Sequence, residues 1–520
     1  MSKKNNQNQT PQQESKVMTK YDRKMQAYQE QEKKARAQKQ RGNIIGIAIV
    51  VIVAAFVLSF PIRNYMAVNG AYITVGGEKI TKVEFDYHYA MARTNFIAQN
   101  NYYLSMMGMN ASTIDSQMYS TDLTFKDYFE QLAVGNIQNT KAMKAEAQAA
   151  GFTYNTDEEY EETIAELRDG AAENSTTFNR YIKSIFGSYA TESRLENVIR
   201  EGILTTAYYE KIAGESEPTE AEIIGYYDEN KNNYDVVDYY LNTVSAELPT
   251  AAPDGSATLD ENGNEVAYQP TEEETAAAME AAKEEAESAL EDMLTQDNFH
   301  EAQSYSAVSY LLNSWLFDEA RVEGDTTVVE DATNHRYLAA SFGGRYRVET
   351  PTVDIRAIVT QSMDAQTILD EWNSGAATEE SFIELCERYD ENGVEDGLYE
   401  GIEADSMNEE MNAWLGDAGR QAGDTAAFTD EDGANYVFYY VGTNDPVWKL
   451  SIHDLLLNQT MMDYLGRISE NITVEDPKGN LNYLKVEAAA QENQENTEEQ
   501  ESSAEDSAED STEDTQEDVE

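Results

Sequence analysis

Cys386 is the one thiol of the chain, and His88, His300, His335 and His453 are its only imidazoles, so covalent and acid–base catalysis have few side chains to draw on. A nucleophilic thiol needs a base beside it, and no histidine stands near Cys386 in sequence. Phe382, Leu385, Cys386 and Tyr389 instead recur at i, i+3, i+4 and i+7, the inward stripe of a helix, which puts the thiol in a core. A single cysteine also rules out an internal disulfide, so an exported part would hold together by packing alone, as suits a Gram-positive envelope. The run Asp260-Glu261-Asn262-Gly263-Asn264 has the outline of a calcium loop. Its sixth position is Glu265 where such a loop turns on glycine, and no Glu closes position twelve, so it reads as a surface turn. No metal and no cofactor is expected.

The elements that would position any site are written twice. Trp-Leu-Phe-Asp-Glu-Ala-Arg-Val-Glu-Gly-Asp-Thr at 315–326 returns as Trp-Leu-Gly-Asp-Ala-Gly-Arg-Gln-Ala-Gly-Asp-Thr at 414–425, a spacing of 99 residues with seven of twelve positions identical. Tyr337 and Tyr436 keep the same offset in the apolar runs that follow. A repeat at fixed spacing marks a repeated supersecondary unit. The shared segment is expected to be a helix and turn leading into closing strands, with Gly324 and Gly423 ending the helix.

Charge divides what surrounds those copies. The 520 residues carry a formal net charge of −61, which argues against a sequence-independent grip on nucleic acid, whose phosphates need Lys and Arg, and against acidic substrates. Residues 1–41 nonetheless hold eleven basic side chains against four acidic ones, and the remainder sums to −68. Between the two regimes Ile44–Phe60 carries no charge, and Pro61 and Ile62 extend it. A helix needs about 20 apolar residues to cross the hydrocarbon, and a basic flank stays cytoplasmic. The segment therefore reads as one membrane helix, with residues beyond Arg63 outside the cell. A cleaved signal peptide is the alternative, but its basic region would be overlong and no small-x-small cleavage site follows Phe60. From about Glu487 the chain is Glu, Asp, Gln, Ser, Thr and Asn, too polar to fold on itself; it reads as a solvated tail, with a weak cation sponge as the functional alternative.

Between about 70 and 232 the pattern is helical. A hairpin at Gly76-Gly77 precedes amphipathic stretches at 82–98, 125–150, 157–169, 175–186 and 191–213. Tyr102, Tyr103, Met106, Met107 and Met109 cluster after the first of them, and methionine surfaces suit promiscuous binding. Filling a helical core is the plainer use of such side chains.

Val-Gly-Gly-Glu-Lys-Ile-Thr-Lys-Val-Glu-Phe (75–85) resembles the opening of the SurA/PrsA family of exported foldases. Glu-Pro-Thr-Glu-Ala-Glu-Ile-Ile-Gly-Tyr-Tyr-Asp-Glu-Asn (217–230) resembles that family's link into its isomerase module. The resemblance covers about residues 70–485 and implies an α+β multidomain chain. Its parts would be a basic cytoplasmic tail (1–42), a transmembrane helix (43–62), an all-α SurA-like chaperone domain (70–232) and two tandem parvulin-like modules (233–349 and 350–446). A helix and strand at 447–485 would pack back on the helical domain, ahead of a disordered acidic tail (486–520). In the second module 353–359 is the first strand, 365–372 and 379–389 are helices and 435–441 is the closing strand; the first module begins at 237–241 and closes near 336–342.

The resemblance implies a site in which a buried His pair, an acid or Cys, and an apolar cup for the proline ring surround the rotating amide bond. On this resemblance the His positions fall at Ala357 and Val437 in the second module and at Leu241 and Leu338 in the first, so neither copy keeps either His. Asp390 or Glu391 would supply the acid, and Leu398, Met407 and Met411 the cup. Phe299 to Trp315 spans 16 residues against 32 from Phe382 to Trp414, so the first copy is expected to lack the loop and helix of the cup and to act in structure or docking. The leading expectation is a membrane-anchored extracytoplasmic chaperone of unfolded or newly exported polypeptides, with peptidyl-prolyl isomerase activity weak or lost. An active isomerase and a non-catalytic adaptor of an envelope complex are the alternatives. The expected partners are those clients and, through one helix, the membrane, with no nucleic acid and a homodimer allowed.

Overall fold

A computed structural model describes residue 65 and residues 68–252, 256–257, 266–294 and 296–490. The chain divides into two compact units, Met1–Ile212 with Asp463–Glu520, and Ala213–Met462. The segment read as a membrane helix, the basic tail before it, the Asp260 turn and residues 491–520 lie outside the described residues. Among the described residues no helix is long and apolar enough to cross a membrane.

The first unit starts on a hairpin, β1 (Ile73–Val75) and β2 (Glu78–Ile80). Gly76 and Gly77 turn it at φ of +57° and +80°, where a side chain would clash with its own backbone. Thr81 then caps the first helix, accepting the Glu84 N–H at 3.2 Å. Five helices follow: α1 (Lys82–Met106), α2 (Phe125–Ala149), α3 (Asp157–Glu173), α4 (Phe178–Phe186) and α5 (Glu192–Glu215). The first runs two turns past its predicted end, because nothing in Gln99–Met106 breaks a helix. A capping box, Thr124 with Asp127, opens α2. Ile73, Val75, Ile80, Phe85 and Ile137 form one core, and Leu481 and Tyr483 enter it from the far end of the sequence. Each such side chain contributes roughly 1.5–3 kcal/mol by leaving water. The last strand, β11 (Val474–Glu475), pairs antiparallel with β1, so the sheet order is β11-β1-β2. Residues 482–490 are helical, which moves the start of any unstructured tail past 486.

The second unit opens on α6 (Glu220–Glu229), capped by Thr219 and Glu222. It then builds one antiparallel topology twice. The first copy is β3 (Asp235–Ser245), α7 (Glu272–Ala289), β4 (Phe299–Ser304), α8 (Asn313–Leu316), β5 (Thr326–Asp331) and β6 (Arg336–Arg347). The second is β7 (Thr352–Thr360), α9 (Ala365–Ser374), α10 (Glu379–Tyr389), β8 (Leu398–Ile402), α11 (Glu409–Leu415), β9 (Thr425–Thr429) and β10 (Asn435–Asn444). The sheet orders are β4-β3-β6-β5 and β8-β7-β10-β9. A long helix, α12 (Val447–Ser469), follows.

Two expectations change here. Phe299 begins a strand and is no counterpart of helical Phe382; the strand-then-helix segment is present in both copies, as β4 with α8 and β8 with α11. What the first copy lacks is a second helix before that strand, since the single α7 stands where α9 and α10 stand. Gly324 and Gly423 do not end a helix either: α8 stops at Leu316 and α11 at Leu415, and the glycines lie in the turns just ahead of β5 and β9.

Candidate functional site

Strand pairing decides which residues can share a site, because successive side chains point to opposite faces. In the second copy Val437 pairs with Ile358, whereas Ala357 pairs with Phe438. Ile358 and Val437 face α9 and α10 within a core of Ile368, Trp372 and Phe382. Ala357 and Phe438 face the other way, against Met411, Leu415 and Phe428. The two positions predicted to hold the His pair therefore look to opposite sides of the sheet. The register-matched neighbour of Ala357 is Phe438, and in the first copy that of Leu241 is Ala340, not Leu338. None of these residues is a histidine.

The expected cup is occupied by the protein itself. Met411 is buried and Met407 half-buried in the same cluster as Ala357, while the Trp414 ring lies 6.0 Å from that of Phe438 and 6.1 Å from that of Phe428. Leu398 is half-buried at the β8 edge, opposite Arg356. The structure thus brings Ala357, Met407 and Met411 together, leaves Val437 on the far face, and fills the space between with Phe438.

Neither candidate acid is free for chemistry. Asp390 accepts the Val359 N–H at 2.8 Å and the Val394 N–H at 3.3 Å. Glu391 accepts hydrogen bonds from the Thr360 hydroxyl at 2.7 Å and the Gln361 N–H at 3.1 Å. The hydrogen bonds from Ser362 and Thr360 hold the Glu391 carboxyl down at about 2. Both residues clamp the end of α10 to the end of β7. Cys386 is 1% exposed, and burial, reinforced by the Asp390 charge, pushes its thiol up to about 12, so it stays a neutral core residue. Arg356, beside Ala357, is bound to Glu379 at 2.9 Å and to Asp396 at 3.0 Å, a brace between α10 and the turn before β8. Among the described residues no group of three or more His, Cys, Asp or Glu could hold a metal ion.

The duplicated motif proves to be one device built twice. Arg321 lies 5.1 Å over the Trp315 ring and Arg420 lies 4.1 Å over that of Trp414. Each arginine is flanked by two aspartates, Asp318 with Asp325 and Asp417 with Asp424. Gly324 at φ +89° and Gly423 at φ +93° then turn the chain, so that their N–H groups reach the Phe342 and Tyr440 carbonyls at 2.8 and 2.9 Å. Phe342 and Tyr440 are therefore equivalent at a spacing of 98, one less than the motif. Tyr337 and Tyr436 are not equivalent: Tyr337 joins the α7 side and Tyr436 the Trp414 side. The hairpin between the last two strands differs by one residue, and one residue inverts every face.

A different surface lies on the first unit. From Thr94 to Ile114 the chain has no charged residue, although 26% of the whole is charged. The last turn of α1 presents Tyr102 at 71% exposure, Tyr103 at 66% and Met106 at 71%, with Met107 and Met118 close behind. Leu104 between them is buried on Ile114, Phe125 and Phe129, and Arg93 is paired with Asp115 at 2.7 Å, so the lobe is anchored underneath and neutral outside. An exposed apolar patch of this kind marks a contact surface. The methionines and tyrosines were visible in the sequence; their exposure was not, because the same periodicity suits a core.

Residues 33–208 match the family model for the SurA-like N-terminal domain. No curated protein matches the chain. Among solved structures, the peptidylprolyl isomerase PrsA of Bacillus cereus is 13% identical over 66% of this chain and 82% of its own, at a TM-score of 0.15. A SurA-like chaperone of Campylobacter jejuni is 12% identical over 78% and 98%, at 0.20. The foldase PrsA of Streptococcus pneumoniae is 15% identical over 43% and 76%, at 0.14.

Proposed function

We propose that this chain, whose residues 33–208 are those of a SurA-like N-terminal domain, is a chaperone that holds unfolded or newly exported polypeptides outside the cell membrane. The observation that carries the reading is the uncharged lobe of α1, where Tyr102, Tyr103, Met106 and Met107 stand in water. Flexible, polarizable side chains grip many apolar sequences without demanding one shape. The apolar segment 44–60, with its basic flank, supports a single membrane anchor with the N-terminus in the cytoplasm.

The two copies in the second unit are read as parvulin-like modules whose isomerase activity is weak or lost. Twisting a peptide bond meets a barrier of about 18–20 kcal/mol, and a catalyst must favour the twisted amide over both planar forms. The sheet face that would do so carries Ala357 beside Phe438 in one copy and Leu241 beside Ala340 in the other. Neither pair donates a hydrogen bond from a side chain, and Trp414 and Phe438 fill the second copy.

Aggregation of a chemically unfolded client, followed by light scattering, tests the reading. The full-length chain is expected to suppress it, and replacing Tyr102, Tyr103, Met106 and Met107 with Ser is expected to remove most of the effect with the fold intact. Failure of the unaltered chain on every client tried would sink the chaperone and favour an adaptor. Acceleration of a proline-limited refolding step, abolished by Asp390→Ala or Met407→Ala, would instead establish an active isomerase.

A further inference from the structure

Within the second unit a cleft of about 630 Å³ opens where the start of β3, the end of β6, the linker into β7, the loop after β8 and the start of α12 meet. That volume falls in the range of sites that enclose a small molecule or a large side chain. Tyr234, Val236, Val348 and Trp448 form apolar walls, and Val348 remains 39% exposed. Trp448 is buried against Arg347, whose guanidinium lies 3.9 Å over its ring, yet its indole N–H has no acceptor among the described residues. At the mouth stand Glu403 and Asp405, both exposed and neither engaged in an ion pair among the described residues, while no Lys, Arg or His lines the cleft.

We infer that this cleft receives one large apolar side chain of an extended, Lys- or Arg-flanked segment of unfolded polypeptide. The inference rests on the chaperone reading and gives it a preference among clients. The walls accept the apolar group and leave its backbone at the rim, where the two free carboxylates meet cationic neighbours. The charge of −61 on the whole chain draws basic segments in and turns acidic ones away before contact. The α1 lobe, being uncharged, would not discriminate by charge, so the two surfaces divide the work: one captures by apolarity and the other selects by sign.

Fluorescence anisotropy with the full-length chain tests this on labelled peptides of roughly nine residues: a central Phe flanked by Lys, the same with Glu flanks, and a Lys-flanked peptide with a central Ser. The Lys–Phe peptide is expected to bind at least about tenfold more tightly than either control at low salt, and to lose that margin over the Glu-flanked peptide near 0.5 M salt. Glu403→Lys with Asp405→Lys, at exposed unpaired positions, should invert the charge preference; Val348→Ser with Val447→Ser should weaken the Lys–Phe peptide while leaving the preference. Equal affinity for Lys and Glu flanks, or retention of the preference in the charge-reversed variant, would overturn the assignment. If those results come with unimpaired suppression of aggregation, the chaperone reading stands without the cleft; if the unaltered chain neither binds peptide nor suppresses aggregation, both fall.

Discussion

His88, on the inner face of α1, is 8% exposed and sits beside a half-buried charge cluster. Lys141 lies 2.9 Å from Glu84 and is also paired with Glu201, which Lys144 holds at 2.6 Å. Burial, and then the Lys141 charge, lower the His88 pKa from its ordinary 6.5 to about 4. Desolvation works against ionised Glu201, but its hydrogen bonds from Lys141 and Lys144 outweigh it and bring its pKa below the usual carboxylate value. Both shifts have the same sign for stability, since the unfolded chain takes up protons that the folded one refuses. The stability of the first unit is therefore complete above about pH 6.5 and declines as pH falls toward 4, by about 3 kcal/mol for His88 alone. Hydrogen exchange of α1 is expected to quicken over that window, and His88→Leu to flatten the dependence there while the Glu201 loss persists at lower pH. An unchanged profile in the variant would show that His88 is not the titrating group. Glu201→Ala should cost about 1–3 kcal/mol, because Lys141 keeps Glu84 but loses a second charged hydrogen bond.

The elements of the second unit are tied by turns as much as by strands. At Gly423, φ +93° lets the backbone deliver its N–H to the Tyr440 carbonyl, and Ala at that position is expected to cost about 1–2 kcal/mol. Gly397 is more demanding, with φ +68° and a built Cβ only 2.9 Å from the Ala357 carbonyl oxygen and against the Cys386 sulfur. Gly397→Ala should cost about 3 kcal/mol, strain and overpacking together. Trp315, Trp372, Trp414 and Trp448 are all the tryptophans of the chain and all lie in 213–462, so tryptophan fluorescence during urea unfolding reads this unit alone. Equal midpoints for Gly397→Ala and Gly423→Ala would contradict the packing argument.

Over the whole molecule the first unit is split in sequence by the second. Val474 pairs with Val75, and Leu481 and Tyr483 complete the core around Ile73 and Ile80. Removing residues 463–520 is expected to leave residues 68–212 readily cleaved by protease, whereas removing only 491–520 should change nothing in that region. Comparable protease resistance in both truncations would mean that the C-terminal strand and helix are not needed to fold the first unit.

Much of this architecture was legible locally. The stripes of Asp157–Asp169 and Glu379–Tyr389, the glycine pair at 76–77 and the Thr-x-x-Asp/Glu caps are short-range signals, and the observed elements lie within a few residues of them. Strand β4 is not legible locally, because Phe299–Ser304 alternates only weakly and gains its stability from β3, distant in sequence. Helix α7 has the composition of a helix, rich in Ala and Glu, but only Met279, Ala282 and Ala286 are buried, so no wide apolar stripe marks it. By itself the sequence determined the repeated topology and the absence of any histidine pair, since both follow from residue identity and order. Tertiary structure alone decided that Phe438, not Val437, stands beside Ala357, and that Tyr102 and Met106 face water while Met411 is buried, because register and exposure are set by partners far along the chain.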